Sequence, residues 1–258
     1  MILKKLLIVL IMLNLAGAVS AEYREYIARA EAVRTVQIRS EVSAKINKVH
    51  FSSGAFVNKS ETLFTLNSSQ FQAEVSLKKA ELAHAQAKLD AALKYLSRLK
   101  AADKRGVTAS DLDAAEGEVM QCRAALDEAK AALKLSQIEL NKTKITAPFA
   151  GRAGKINFYE GSYVSPEAVL CEIVQTDPVR VLFAMPERDY MSLKNKDLKS
   201  LKYELILADG SLFSGLVEKD FEDNAFNSET GTINIWLKVS NENNILLPGA
   251  FVRVRIVI

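Results

Sequence analysis

The chain has 258 residues, 49% hydrophobic and 25% charged, which is enough for two small folded bodies and an extension. Its 34 basic residues are nearly balanced by 31 acidic ones, giving a formal net charge of +3. So small an excess gives no electrostatic reason to expect a nucleic-acid partner. Only two histidines and two cysteines are present, which leaves few residues for metal-binding or nucleophilic chemistry.

The N-terminal residues 1–21 have the features of a secretory signal peptide. Two lysines precede an apolar run from Leu6 to Leu15, and small residues end at Ala21. The apolar run is short for a membrane span, although the sequence leaves an uncleaved anchor open. A bacterial lipoprotein would carry a cysteine where Ala18 stands, so we predict no lipid anchor. We therefore expect residues 1–21 to direct export of the chain.

Two stretches of the chain repeat each other on either side of a long insertion. When Gly54 is aligned with Gly161, Val42–Leu66 matches Phe149–Val174, with apolar residues at the same positions. Both copies have the pattern of a short strand, a glycine-centred turn and a second short strand. Neither copy can bury its apolar face alone, so we predict that they pack together as one small β-sandwich. The predicted halves of this sandwich are residues 36–67 and residues 143–176.

The insertion between the halves, residues 68–142, is predicted to be a pair of long helices. It is rich in Ala, Leu, Lys and Glu and contains no proline. Large apolar residues recur every seven positions, with mostly small residues three positions on, over four or more heptads, which indicates a coiled coil. Two arms joined by the short tip 103–109 should fold back as an antiparallel hairpin. The large seam residues are Leu82, Leu89 and Leu96 in the first arm and Leu112, Val119, Leu126 and Leu133 in the second.

The tip of this hairpin has residues suited to ending one helix and starting the next. Gly106 is expected to end the first helix in a left-handed conformation, while Lys104 and Arg105 complement its negative end. Thr108 or Ser110 is expected to cap the second helix. Capping explains most of these residues, but a rod of this length favours the hypothesis that its tip meets a partner.

The C-terminal residues 177–258 have the pattern of a small antiparallel β domain. Several short runs alternate apolar and polar residues, and Asp209-Gly210 and Pro248-Gly249 are turn signals between them. A short helix is predicted over Pro186–Lys196. We expect the N-terminal strand region, residues 22–35, to join these strands in a small β-barrel.

Four short motifs accompany this organisation, namely Thr143–Arg152, Pro186–Asp189, Thr230–Thr232 and Leu246–Val254. In their order and spacing, and in the split sandwich, the chain resembles the periplasmic adaptors, or membrane fusion proteins, of resistance-nodulation-division (RND) efflux pumps. The resemblance covers essentially the whole mature chain. It implies an α+β multidomain fold: a split lipoyl-like β-sandwich with an inserted antiparallel α-helical coiled-coil hairpin, followed by a small antiparallel β-barrel.

The resemblance also implies a function in export. The chain would be a periplasmic subunit, associated with the inner membrane through an RND-type transporter, that links this transporter to an outer-membrane channel for export of small molecules. Several copies would associate into a ring. Many relatives have a membrane-proximal domain built from both chain ends, and we expect that domain to be absent here.

The hairpin tip is the expected docking site for the channel. Such adaptors commonly carry an arginine, a leucine four residues on, and then a serine near the tip. Arg98 fits the first position, Ala102 stands where leucine is expected, and Thr108 stands where serine is expected after a one-residue shortening. The expected docking residues are Arg98, Ala102, Lys104, Arg105, Gly106, Val107 and Thr108.

No enzyme activity, metal or cofactor is predicted. His50 and His84 have no partner at ligand or triad spacing, and no phosphate-binding glycine motif follows a strand. Met185 and Met191 are interpreted as gap-filling residues rather than metal ligands. A lipoate or biotin carrier needs a modifiable lysine on the turn between the sandwich halves, and residues 67–142 replace that turn.

Three alternatives to the RND adaptor remain open on the sequence. The chain can serve an ATP-driven exporter or a type I secretion system, or be the minor member of an adaptor pair. It can also be a periplasmic coiled-coil scaffold that takes no part in transport. The protein that the hairpin tip contacts would distinguish a transport adaptor from a scaffold.

Overall fold

The computed structural model describes residues 23–102, 107–193 and 198–258. The described residues divide into two compact units: one spans Val36–Ile173, and the other combines residues 23–35 with Val174–Ile258. The strands are β1 (Tyr23–Ala32), β2 (Thr35–Arg39), β3 (Ala44–Val49), β4 (Phe56–Val57), β5 (Thr62–Leu66), β6 (Lys144–Thr146), β7 (Gly151–Ala153), β8 (Tyr163–Val164), β9 (Val169–Val174), β10 (Val179–Pro186), β11 (Lys202–Ile206), β12 (Val217–Glu222), β13 (Thr232–Val239) and β14 (Phe251–Val257). The helices are α1 (Ser69–Ala101), α2 (Ala109–Asn141) and α3 (Glu187–Leu193).

The two repeated halves form one sandwich, as their shared pattern predicts. Its sheets have the strand orders β2-β9-β7-β4 and β6-β5-β3-β8, so each sheet takes two strands from each half of the repeat. Gly54 and Gly161, the aligned turn glycines, have φ angles of +82° and +91°. Only glycine adopts this conformation without a steric penalty. The largest fully buried core residues of the sandwich are Ile46, Leu63, Phe64, Leu66, Leu170 and Ile173.

The inserted segment forms two helices of 33 residues each, α1 and α2, which pack along each other. Each is roughly 50 Å long at 1.5 Å per residue. Their direction is antiparallel, because the Nζ of Lys100 near the end of α1 lies 2.7 Å from a carboxylate oxygen of Glu116 near the start of α2. In the described ranges, none of the helices has both the length and the apolar composition that a membrane span requires.

The other unit is built on a six-stranded antiparallel sheet with the order β11-β14-β1-β10-β13-β12. Strand β1 lies in the middle, paired with β14 on one side and β10 on the other. The outer strands β11 and β12 also approach each other, which indicates that the sheet curls towards a barrel. Alternate residues of the strands point inwards, and the largest fully buried ones are Phe183, Met185, Leu205, Ile235 and Leu237, which share the core with Leu193 of α3.

Two details of this unit differ from the sequence expectations. Strand β12 was not predicted, because a β-bulge after Lys219 breaks its alternation and the Lys219 side chain is only 8% exposed. Helix α3 begins at Glu187 rather than Pro186, because Pro186 is still paired with Thr232 as the last residue of β10. The rest of the predicted helix after Leu193 lies outside the described residues.

Candidate docking site at the end of the helical arms

The predicted seam residues face each other along the middle of the two helices. Their shared apolar core contains Ala85 and Leu89 of α1 and Val119, Cys122 and Leu126 of α2, each no more than 8% exposed. The other predicted large seam residues are only half-buried, because two helices alone leave the edges of their seam open to water. These half-buried seam residues are Leu82, Leu96, Leu112 and Leu133.

One charged residue interrupts the seam near the base of the arms. The Lys78 ammonium lies 3.1 Å from the Glu81 carboxylate and 3.7 Å from that of Glu74, and these contacts, with Glu81 first, raise the pKa of Lys78. An open surface groove of about 550 Å³ lies beside this position, with Phe71 and Leu135 in its wall.

The start of α2 is fixed by a reciprocal pair of hydrogen bonds between Thr108 and Asp111. The Thr108 hydroxyl accepts from the Asp111 backbone N–H at 3.2 Å, and the Asp111 carboxylate accepts from the Thr108 backbone N–H at 3.0 Å. The hydroxyl also donates to the Asp111 carboxylate at 2.7 Å, and these bonds lower the pKa of Asp111. This is a capping box. Of the two residues predicted to cap α2, Thr108 forms the cap and Ser110 does not.

The end of α1 presents an exposed arginine next to an extended backbone. Ala102 leaves the helix with φ −72° and ψ 158°, and its N–H donates to the carbonyls of Arg98 and Leu99. The Arg98 side chain is exposed, and its Nε donates to the Lys94 carbonyl at 3.3 Å. Among the described residues, the other guanidinium donors of Arg98 have no protein partner, so they are available to a ligand or another protein.

The remaining predicted docking residues are described only in part. Val107 is half-buried next to the cap, and Thr108 and Ala102 are exposed. Lys104, Arg105 and Gly106 lie outside the described residues. The prediction that Gly106 ends the first helix is wrong, because α1 ends at Ala101 and Ala102 is already extended. The structure therefore brings Arg98, Ala102, Val107 and Thr108 to the same end of the two arms.

Sequence reasoning missed the ion pair that joins the arms close to this end. Lys100 and Glu116 are both about half exposed, so their pairing contributes at most about 1 kcal/mol. The pair nevertheless favours one register between the arms, because the two side chains meet only when Lys100 lies beside Glu116. No local signal could have revealed it, because the two residues are brought together only by the connection between the helices.

The geometry of this end is suited to non-covalent recognition. It offers an exposed guanidinium, an ion pair and a capped helix start, but the described residues contain no group of three or more His, Cys, Asp or Glu side chains that could hold a metal ion. His50 lies elsewhere, on the sandwich, with its Nε2 2.8 Å from the Thr65 hydroxyl. Both cysteines are free and buried, and burial raises the pKa of Cys171 to about 12.

Family profiles match nearly all of the described chain. The profile described as "RND MFP, barrel-sandwich hybrid domain" matches residues 34–176, and "RND MFPs, beta-barrel domain" matches residues 178–258. The chain belongs to the RND membrane fusion protein family. The first profile covers the sandwich and both helical arms, and the second covers most of the six-stranded unit.

Curated relatives of this family member are efflux components. The chain is 32% identical over 239 residues to the multidrug efflux pump subunit AcrA of Escherichia coli K12, covering 88% of this chain and 60% of that protein. It is 30% identical over 245 residues to the efflux pump periplasmic linker BepD of Brucella suis, covering 90% and 62% of the two chains. The chain thus spans about three-fifths of the length of these relatives.

Solved structures share the fold of this family member. A putative efflux transporter from Bacteroides eggerthii superposes with a TM-score of 0.73 at 19% identity, covering 91% of this chain and 68% of that chain. A MacA–MexA chimera that carries the Pseudomonas aeruginosa MexA α-hairpin domain superposes with a TM-score of 0.64 at 20% identity, covering 92% and 81%. At these identities the likeness establishes the fold alone.

Proposed function

We propose that this chain is the periplasmic adaptor of a tripartite efflux system, linking an RND-type inner-membrane transporter to an outer-membrane channel for small-molecule export. The family membership supports this proposal, as do relatives described as a multidrug efflux pump subunit and an efflux pump periplasmic linker. The contribution of the chain is geometric rather than chemical. Several copies would surround the export path as a ring, with residues 1–21 removed after export.

The observation that carries the proposal is the pair of 33-residue helices with a capped, polar end. Two helices that bury Leu89, Val119 and Leu126 in one shared core form a semi-rigid rod, because bending it would expose this core. A rod of roughly 50 Å is suited to reaching a partner far from the sandwich that carries it. The end of the rod is thus the proposed contact with the channel.

The proposed contact combines one exposed cation with helix packing. Arg98 has guanidinium donors available for carboxylates or carbonyls of the channel. Lys104, Arg105, Gly106 and Val107 are proposed to join it on the basis of the sequence alone. The hydroxyl of Thr108 is occupied by the capping box, so this residue supports the contact mainly by fixing the start of α2.

The decisive experiment is site-specific photo-crosslinking in living cells. A photoreactive residue at Val107 should capture an outer-membrane channel, identified by mass spectrometry, while the same residue at Leu212, which is 58% exposed on the other unit, should not. Capture at Val107 of only other copies of this chain, or of cell-wall proteins, would contradict the adaptor proposal and favour the periplasmic scaffold. Susceptibility profiling would identify the exported compound.

A further inference from the structure

One face of the six-stranded sheet exposes large apolar side chains that the rest of this unit does not cover. On β1 and β14 the even-numbered residues point into the core, and the odd-numbered ones point outwards. Ile27, Phe251 and Tyr23 are 77%, 66% and 56% exposed on this outer side. Together with the outward arginines of the same two strands they define the β1–β14 face: Tyr23, Ile27, Arg29, Phe251, Arg253 and Arg255.

The strand register makes these six residues one contiguous surface. Ile27 lies directly opposite Arg253, and Arg29 lies directly opposite Phe251, in the antiparallel pairing of β1 with β14. Side chains at directly opposite positions share one side of a sheet and lie within about 5.5 Å at their Cβ atoms. Isolated exposed apolar residues are normal on protein surfaces, but a contiguous group of this size indicates an interaction site.

Arginines alternate with the apolar residues and give the face a positive charge. The Arg29 guanidinium lies 5.9 Å from the Phe251 ring centre, and that of Arg255 lies 4.7 Å from the Tyr23 ring centre. Arg253 and Arg255 share a single carboxylate, Glu25, at 3.0 and 2.8 Å. On the outward side of these two strands there are therefore three positive groups and two negative groups, Glu25 and Glu31.

A neighbouring strand does not cancel this excess. Glu204 of β11 lies 3.8 Å from Arg255, but the same carboxylate pairs with Lys202 of β11 at 2.7 Å. The two β11 residues thus add one charge of each sign. Arg29 has no carboxylate partner among the described residues, so at least one guanidinium of the face is free to bind an anion.

This composition is the one that suits a lipid–water interface. Tyrosine, phenylalanine and isoleucine insert at the level of the headgroups, while arginine binds phosphate through paired N–H donors. Strand β1 also begins eight residues after the apolar run that ends at Leu15. Eight residues span at most roughly 30 Å. Before residues 1–21 are removed, an apolar run held in the membrane would therefore keep the β1–β14 face within reach of the surface of the same bilayer.

We propose that the β1–β14 face binds the anionic phospholipid surface of the inner membrane. The choice of this membrane rests on the proposed periplasmic function, but the contact does not depend on docking of the hairpin tip. It would give the chain a second, reversible attachment besides its transporter. A bilayer surface fits better than a peptide because the residues come from two neighbouring strands and combine unpaired positive charge with exposed aromatic rings.

Vesicle co-sedimentation tests this proposal. The chain beginning at Glu22, which lacks the apolar run, should bind vesicles containing phosphatidylglycerol and bind pure phosphatidylcholine vesicles at least several-fold more weakly. Raising the salt concentration should weaken binding, because screening shortens the range of the attraction. Arg29→Glu should weaken binding about tenfold or more, whereas Arg29→Lys should retain most of it. Ile27→Asp should also lose binding.

The matched control is Leu216→Asp, which changes a side chain of the same unit that is 64% exposed and lies outside the face. This variant should bind vesicles as the unsubstituted chain does. Circular dichroism should show all variants folded, because the substituted side chains are exposed. The proposal is overturned by an unsubstituted chain that does not bind phosphatidylglycerol vesicles at low salt, or by equal losses in Ile27→Asp and the control.

A third outcome would reassign the face to another partner. If Ile27→Asp abolishes self-association in sedimentation velocity experiments while vesicle binding is unchanged, the face is an interface between copies and the lipid proposal is wrong. Failure of the lipid contact leaves the crosslinking result at Val107 unaffected, so the two proposals can be judged separately.

Discussion

The hydroxyl at position 108 offers the sharpest test of how the end of the arms works. Thr108 stands where the family resemblance predicts a docking serine, yet its hydroxyl is bonded within the chain to Asp111. If the hydroxyl acts as a helix cap, any good capping residue should replace it. If it acts by touching the channel, only a hydroxyl should.

The expected magnitude follows from the capping box. Thr108→Ala removes the hydrogen bond to the Asp111 backbone N–H, a loss that typically costs about 1 kcal/mol of local helix stability. That energy corresponds to a roughly fivefold loss of protection from amide hydrogen exchange in the first turn of α2. Thr108→Ser and Thr108→Asn should keep the protection, because both residues cap at least as well as threonine.

Hydrogen exchange by mass spectrometry and drug susceptibility form the paired assay. Protection at Ala109–Asp113 should fall in Thr108→Ala and in no other variant, and export should fall with it. Ser110→Ala is the matched control, since Ser110 does not supply the cap. The reasoning is refuted if Thr108→Asn keeps full protection but loses export as completely as Thr108→Ala, because only a direct contact of the hydroxyl would then explain the defect.

Four further predictions concern charge, packing and pH. Arg98→Glu should impair export in a susceptibility assay without changing the melting temperature, and Arg123→Glu, an exposed arginine midway along α2, should not. Leu126→Ala should destabilise the arms by about 2–3 kcal/mol in urea unfolding, against under about 0.5 kcal/mol for Leu135→Ala, which is 62% exposed. Asn241→Ala should lower the free energy of unfolding by roughly 2–4 kcal/mol, because the buried Asn241 amide donates to the Thr176 and Leu246 carbonyls and accepts from the Leu246 N–H. Asn243→Ala changes an exposed side chain and should leave the free energy of unfolding nearly unchanged. The cap holds the pKa of Asp111 below its ordinary value, so the stabilisation that the ionised Asp111 carboxylate gives to the first turn of α2 is present at neutral pH. This stabilisation should be lost as the pH falls below about 4, as measured by hydrogen exchange in that turn.

The sequence predicted those parts of the fold in which the physical signal is periodic. The seven-residue repeat through Leu89 and Leu126 located both arms, and the two-residue alternation of β10 and β13 located the buried face of the six-stranded sheet. Gly54 and Gly161 marked turns that require a left-handed backbone. In each case the residues that make the signal are close together in the sequence.

Features that depend on contacts between distant residues gave no such signal. Strand β12 was not predicted from the sequence, because its bulge shifts the register and Lys219 points to the less exposed side, where it pairs with Glu222 at 2.8 Å. Asn241 appears as an ordinary loop residue until the fold brings the Thr176 carbonyl to it. The outward apolar residues Ile27 and Phe251 were part of expected strands, but their meeting on one face depended on the β1–β14 register.

The way in which the arms join the sandwich explains why they interrupt it rather than follow it. Strand β5 leads into α1 and α2 leads into β6, and these two strands are hydrogen-bonded neighbours, with the Leu66 N–H donating to the Thr143 carbonyl at 2.8 Å. Phe64 of β5 lies opposite Ile145 of β6, and both are buried in the core that the two halves share. A force on the far end of the arms would therefore act on this core. An appended hairpin would end in a single connection that could swivel, whereas two anchored arms can hold their far end in place against a partner.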